Sequence, residues 1–386
     1  MNAILAITFL MIVYMIGEVV ALKTKAMFSA TLVIAVVMLI SFWCGLPADI
    51  MDLSQVSGMG MILVSFLITS LGTTMDFTEL KNQWKTVVVS ISGVIIGVAL
   101  IILIGSPIIG RENAFAGAPI FAGGNAAALI LKDTLTKKGL DNLFNLSLMV
   151  LVLQNFIGIP IASFTLRREA KNFLETFEVS EYKTDRSKEE EQKKRLIQWP
   201  KTLDTPIFSL IRVGLVSALG FFLSQLSGGA IHPFVGGLLL GIVFTELGFL
   251  ESNMLNKTDS STFILFTTTV VIFSNLATVT PTDVLTMLGP TVLVLGIGIV
   301  GVVIGGLVLS KLLNIGTYLA ITLGLTCTFG FPTTLFMSKE VSKAMARNEQ
   351  EEEILLEYLM PKMLTAGFVT VTIASAIIAG FVVKLL

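Results

Sequence analysis

Apolar runs long enough to cross a bilayer, which takes about 20 residues in a helix, recur along most of the chain. They predict spans at 3–22, 27–46, 59–75, 86–109 and 143–166, and again at 206–227, 231–250, 261–280, 288–310 and 359–384. Two further apolar stretches, 114–131 and 317–337, are interrupted by small residues. The first contains Gly123-Gly124-Asn125, and the second contains Thr326-Cys327-Thr328-Phe329-Gly330-Phe331-Pro332-Thr333-Thr334. Gly and Pro free backbone groups that lipid cannot satisfy, so such backbone must be buried in protein or line a cavity. Both stretches therefore read as re-entrant hairpins. The one long polar segment, 167–205, holds the charge run Asp185–Arg195 and reads as a solvated cytoplasmic linker.

Composition agrees with this pattern. Of 386 residues, 54% are hydrophobic and 14% charged, with mean hydropathy +0.87, whereas soluble domains carry about 25% charged residues. The expected fold is an all-α integral membrane protein of ten transmembrane helices and two re-entrant hairpins. Net charge is −1, which gives no electrostatic footprint for nucleic acid. Cys44 and Cys327 both lie in apolar runs and read as small buried hydrophobes. One histidine and two scattered cysteines form no metal-ligand cluster. The start of the chain is apolar from Ile4 without a basic segment before it, so it reads as a first span rather than a signal peptide.

Orientation follows from Lys and Arg. With the N-terminus outside and neither hairpin crossing, 21 of them face the cytoplasm and 5 face out. Complete crossing by both hairpins gives at best 15 against 11, so the positive-inside rule favours the first arrangement. The halves also echo each other at a near-constant offset. Leu71-Gly72-Thr73 matches Leu276-Ala277-Thr278, and Gly124 and Leu129 match Gly330 and Leu335. Residues 1–166 and 206–386 are thus expected to be two repeats of five spans each. An odd span number requires the second to be inserted upside down, the inverted-repeat plan of many secondary transporters.

Third-span ending Gly72-Thr73-Thr74-Met75-Asp76-Phe77, hairpin Ala122-Gly123-Gly124-Asn125-Ala126-Ala127 and hairpin Cys327–Thr333 together resemble the bacterial sodium/glutamate symporters and, more distantly, the 2-hydroxycarboxylate transporters. Asn125 stands where the glutamate family's Gly-Gly-His-Gly-Thr-Gly pattern has its histidine, and alanines follow it. The resemblance implies symport of a small organic anion, an amino acid such as glutamate or a carboxylate, by alternating access. It also implies a homodimer in the bacterial inner membrane and no cofactor beyond sodium as the coupling ion.

Candidate substrate-binding residues are Gly123, Gly124, Asn125, Gln154, Asn155, Thr328, Gly330, Thr333 and Thr334. Exposed backbone N–H groups and helix dipoles at the two tips would face a carboxylate, although small residues there also serve close helix packing. Gln154 and Asn155 are adjacent, so on a helix they face different ways. Candidate sodium ligands are Thr73, Thr74, Ser274, Asn275 and Thr326, although a threonine hydroxyl also bonds back to its own helix. No Asp, Glu or His falls at the centre of a span as drawn, which favours sodium over proton coupling. A proton-coupled carrier or a channel is the alternative, with a membrane-embedded enzyme further off.

Overall fold

The computed structural model describes residues 1–73, 83–123, 127–128, 131, 135, 141–176, 197, 199–200, 202, 205–228, 231, 233–252, 254–255, 258, 260–382 and 385. Among these, regular structure is helical throughout and no strand occurs. Helices α1 (Ala3–Lys23), α2 (Ala30–Trp43), α3 (Ile50–Leu53) and α4 (Val56–Gly72) come first. Helix α5 (Trp84–Leu100) runs through a π-helical turn, Ile101–Gly105, into Ser106–Ile109. Next are α6 (Arg111–Phe121), α7 (Asp141–Thr176), α8 (Pro206–Leu226) and α9 (Pro233–Glu246). Helix α10 (Ser261–Ile272) tightens into the 3-10 segment Phe273–Thr278, and α11 (Pro281–Leu313) follows. Helix α12 (Thr317–Leu325) continues as the 3-10 turn Thr326–Thr328, and after a break comes α13 (Thr333–Met345). Helix α14 (Glu349–Phe368) passes through a π-helical turn, Val369–Ala374, into Ser375–Val382.

Six of these elements are long and apolar enough to cross a membrane: Ala3–Lys23, Trp84–Ile109, Leu146–Thr176, Pro206–Leu226, Val284–Leu313 and Glu349–Val371. The chain is a multi-pass helical membrane protein. Two boundaries differ instructively from the sequence expectation. Helix α7 continues ten residues past the expected end at 166, through Arg167–Thr176. The last helix starts at Glu349 rather than 359. Both extensions are charged, and polarity alone had placed them outside the helices.

The chain also divides into two compact units that each draw on both sequence halves. One comprises Met1–Met11, Asp49–Asn82 and Phe177–Ser274, and the other Ile12–Ala48, Gln83–Thr176 and Asn275–Leu386. In the first, α4 packs on α9 and α10, and α8 packs on α9. Close approach is allowed by small residues, the usual means by which helices associate in lipid. A Cβ on Gly241 would collide with the Thr69 carbonyl, and one on Gly220 would lie 2.6 Å from Gly237 N. The Ser217 hydroxyl lies 2.9 Å from Thr69 Oγ1. Arg212, only 2% exposed, pairs with Glu251 at 3.2 Å, donates to the Phe249 carbonyl and lies over the Phe208 ring at 4.8 Å.

In the second unit, α5 and α11 form the central pair, and α6, α7, α12 and α14 surround them. Glycines again set the spacing: a Cβ on Gly301 would lie 2.6 Å from Gly97 Cα.

Candidate functional site

One face of α7 supplies the ruler for the site. Ser147, Gln154, Gly158, Thr165 and Glu169 are spaced by seven and four residues, so they share that face. The Ser147 hydroxyl donates to the Ala116 carbonyl of α6 at 3.0 Å. Gly158 abuts Thr328, whose hydroxyl occupies the space where a Cβ would stand. Thr165 and Thr322 share a hydroxyl–hydroxyl bond of 2.6 Å, and a Glu169 carboxylate oxygen accepts from Leu319 N at 3.3 Å. Helix α12 therefore runs antiparallel to the second half of α7, from Glu169 to Gly158. Those eleven residues amount to about 16 Å of helix at 1.5 Å per residue.

The direction of α13 follows from α14. Tyr358 donates to Glu169 at 2.8 Å, and Thr370 meets Thr326 at 3.3 Å, so α14 descends beside α12. Helix α13 joins α14 through the short turn 346–348 and packs along it. Thr334 lies against Gly367, near the break. Helix α13 thus returns toward the level where α12 began. The element 317–345 is a helix–break–helix reversal whose tip is Phe329–Pro332.

Helix α6 approaches the same level from the Asp141 end of α7. Its Ala116 lies beside Ser147, and Gly123 lies beyond its end against α14. A Cβ on Gly123 would be 2.6 Å from Ser375 Cβ and 2.7 Å from Val371 Cα, and one on Gly330 would be 2.5 Å from Val371 Cγ1. Gly123 and Gly330 therefore meet on one residue, Val371. Adding ordinary bond lengths to these contacts puts Gly123 Cα and Gly330 Cα no more than about 11 Å apart. Gly330 has φ +59°, a left-handed conformation that costs glycine nothing.

Backbone polarity at the second tip is largely satisfied internally. Gly330 N donates to the Thr326 carbonyl at 2.7 Å, Thr334 N to Gly330, and Leu335 N and Phe336 N to Pro332. Thr326 and Thr328 hydroxyls donate to Leu323 and Leu325 carbonyls. Thr333 and Thr334 are fully buried. Gln154 is 3% exposed, and its Oε1, like Thr334 Oγ1, has no hydrogen-bond partner among the described residues. Asn155 is partly buried on the neighbouring face.

Among the expected residues, the structure gathers Gly123, Thr326, Thr328, Gly330 and Thr334 around the two breaks, with Gln154 one turn from Gly158. Gly124, Asn125 and Thr74 lie outside the described residues. Thr73 ends α4 in the first unit and donates to the Ser70 carbonyl at 2.6 Å. Ser274 and Asn275 sit in the 3-10 segment after α10, where the two units divide. Compared with models of known protein families the chain matches none, and curated proteins provide no match either.

Sequence reasoning missed four residues. Gly158 makes room for Thr328. Val371 lies against both Gly123 and Gly330. Glu169 and Tyr358 clasp the start of α12: the Glu169 carboxylate, 5% exposed, also touches Gly316. The Tyr358 ring stacks on Phe173 at 3.9 Å with the Lys362 ammonium 4.0 Å over it. The Lys362 ammonium also donates to the Tyr358 carbonyl at 2.7 Å. The signal for Glu169 was available in the seven–four spacing with Thr165 and Gly158. Glu169 lies three residues past the expected span end at 166, in the extension of α7, and is buried.

Proposed function

We propose that the chain is a secondary active transporter that takes up a small organic anion together with sodium by alternating access, as in the sodium/glutamate symporters it resembles. In this reading it has ten spans and works as a homodimer in a bacterial inner membrane. Residues 317–337 form a re-entrant hairpin open to the cytoplasm, and 114–131 one open to the outside. The observation that carries the reading is the meeting on Val371 of Gly123, at the end of α6, and Gly330, in the break after α12, reached from opposite ends of α7. Opposed half-helices meeting near the midplane are the form secondary transporters use for substrate and coupling ion. Sodium is held by oxygens alone, and Gln154 Oε1 and Thr334 Oγ1 are buried oxygens with no other partner among the described residues. The anion, an amino acid or carboxylate, takes the Gly123-Gly124-Asn125 side.

The test is uptake by purified protein in proteoliposomes with voltage clamped. Accumulation of a dicarboxylate or acidic amino acid should follow an inward sodium gradient and survive collapse of the pH gradient. Full uptake without sodium, driven by a proton gradient, would overturn the sodium reading. It would favour a proton-coupled carrier instead, for which the buried Glu169 carboxylate is the supporting observation.

A further inference from the structure

The turn between α1 and α2 closes through Ala26 N, which donates to the Ala21 carbonyl at 2.7 Å. To do so, Lys25 and Ala26 take φ of +51° and +55°, the left-handed region that residues with a Cβ seldom occupy. Such backbone persists where its surroundings over-determine it, and it recurs in switch regions. Two tertiary bonds do so here. From α7, the Ser163 hydroxyl donates to the carbonyl of Ala26, a residue 1% exposed. From α13, Glu340 Oε2 accepts from Ala30 N, at the start of α2, at 3.0 Å. All of these residues belong to the second unit. Ser163 is the neutral half of the grip, and Glu340 is the half that titrates.

The charged side chain that acts on Glu340 from a neighbouring element is Glu18 of α1, which is exposed and hydrogen-bonded to Tyr14. Helix α2 offers the Ala30 amide and carries no titratable side chain. Among the described residues no cation pairs with Glu340, neither Lys339 or Lys343 on its own helix nor any from α7 or α14. Burial, with Glu18 nearby, pushes the Glu340 carboxyl up to about 8.

We propose that Glu340 is a pH-sensitive latch between α13, the return arm of the second hairpin, and the α1–α2 turn, closed while its carboxyl is protonated and released as it ionises. A neutral carboxyl still accepts from Ala30 N and has no charge to bury or to set against Glu18. Ionisation brings both costs, and leaves Ser163 alone to hold the left-handed residues in place. The latched form binds this proton more tightly than a released form with Glu340 in water. Its share therefore falls as pH rises from the ordinary carboxylate range to about 8, by at most about ten-fold per pH unit, and levels off above. The inference stands on these contacts whatever the chain transports. On the transporter reading above, alkaline pH frees the arm that joins the hairpin tip to α14.

The experiment is hydrogen exchange on the full chain in lipid nanodiscs between pH 6 and 9, with rates corrected for the pH dependence of free amides. Wild type is compared with Glu340→Gln, Glu18→Gln and Ser163→Ala. Segment 24–32 carries the Ala30 amide, and its protection in wild type should fall by about ten-fold from pH 6 to 7 and level off near pH 8. Glu340→Gln keeps an acceptor that never ionises, so its protection should not fall. Glu18→Gln removes the like charge, so the levelling should come at lower pH. Ser163→Ala should lower protection by one factor at every pH and keep the wild-type slope. The same pH dependence in wild type and Glu340→Gln, or wild-type protection that does not change with pH, would overturn the latch. Protection of 24–32 equal to that of Trp84–Leu100 in α5 would mean that the turn opens only when the chain unfolds, and would overturn it as well.

Discussion

Replacing Tyr358 by Phe should loosen the second hairpin from the end where α12 begins. The perturbation is small in volume and specific in chemistry. It removes one hydrogen bond, 2.8 Å long, to a carboxylate that is 5% exposed. Hydrogen bonds to charged groups contribute about 1.5–3 kcal/mol. Glu169→Ala should cost more, because it also strips Leu319 N of its acceptor and removes a negative charge from the N-terminus of α12, worth about 0.3–1 kcal/mol or more when partly buried. Cys327 lies eight residues along the same arm and is 1% exposed. The sequence has two cysteines, and Cys44 is exposed, so Cys44→Ser leaves Cys327 as the sole thiol and a native reporter of opening.

A buried thiol reacts only when its surroundings open, and with fast reclosure its labelling rate follows the open population. A loss of about 2 kcal/mol should therefore raise the maleimide labelling rate of Cys327 by about 30-fold. Glu251→Ala is the control. It leaves the Arg212 guanidinium buried without its carboxylate and should destabilise the first unit by about 3–5 kcal/mol. Wild-type labelling rates in Tyr358→Phe and Glu169→Ala would refute the clasp. Equal acceleration in Glu251→Ala would show that labelling reads global unfolding rather than the release of one arm.

Gly158→Ala should overpack the contact with Thr328 and destabilise by about 1–3 kcal/mol, and adding Thr328→Ala should recover most of the loss. Melting temperatures of the two single variants and the double variant measure that coupling, and strict additivity would contradict the contact. Glu340, on α13 beyond the hairpin, accepts from Ala30 N at 3.0 Å, and burial, with Glu18 nearby, pushes its carboxyl up to about 8. Because the folded state holds this proton more tightly than the unfolded chain, stability should fall as pH rises from the ordinary carboxylate range to about 8. The slope is at most about 1.4 kcal/mol per pH unit. Glu340→Gln should flatten that part of the curve, and parallel melting curves for the two proteins between pH 5 and 9 would contradict the assignment.

Apolar runs and Gly/Pro interruptions made most helices and the break at 329–332 legible, because lipid forces backbone polarity to be satisfied locally. Helix ends were less legible. Arg167–Thr176 carries the charges of a linker, yet Phe173 and Glu169 continue the packed face of α7. The partners that bury Glu169 lie 150 and 189 residues away along the chain, and nothing local announces them. Val371 was hidden for a related reason. Its segment, Val369-Thr370-Val371-Thr372-Ile373-Ala374, reads as plain apolar helix, and no Gly or Pro marks the π-helical turn. The two compact units were equally invisible, since each takes segments from both halves and local pattern says nothing of which segments assemble.

The backbone of the second tip bears on how the two ligands divide between the breaks. The sequence suggested that helix N-termini at both tips would present N–H groups to a carboxylate. At the second tip, however, the amides of Thr334, Leu335 and Phe336 already donate to Gly330 and Pro332, and that of Gly330 to Thr326. An anion arriving there would have to compete with these bonds for donors. What the surroundings leave over are oxygens, at Gln154 and Thr334, and oxygen is what a hard cation such as sodium requires. On the proposed reading, the second break with Gln154 suits the coupling ion and the Gly123 side suits the anion. Val371, in contact with both glycines, stands between them. Binding of either ligand then presses on the same π-helical turn, which is a physical route for making one favour the other without direct contact between them.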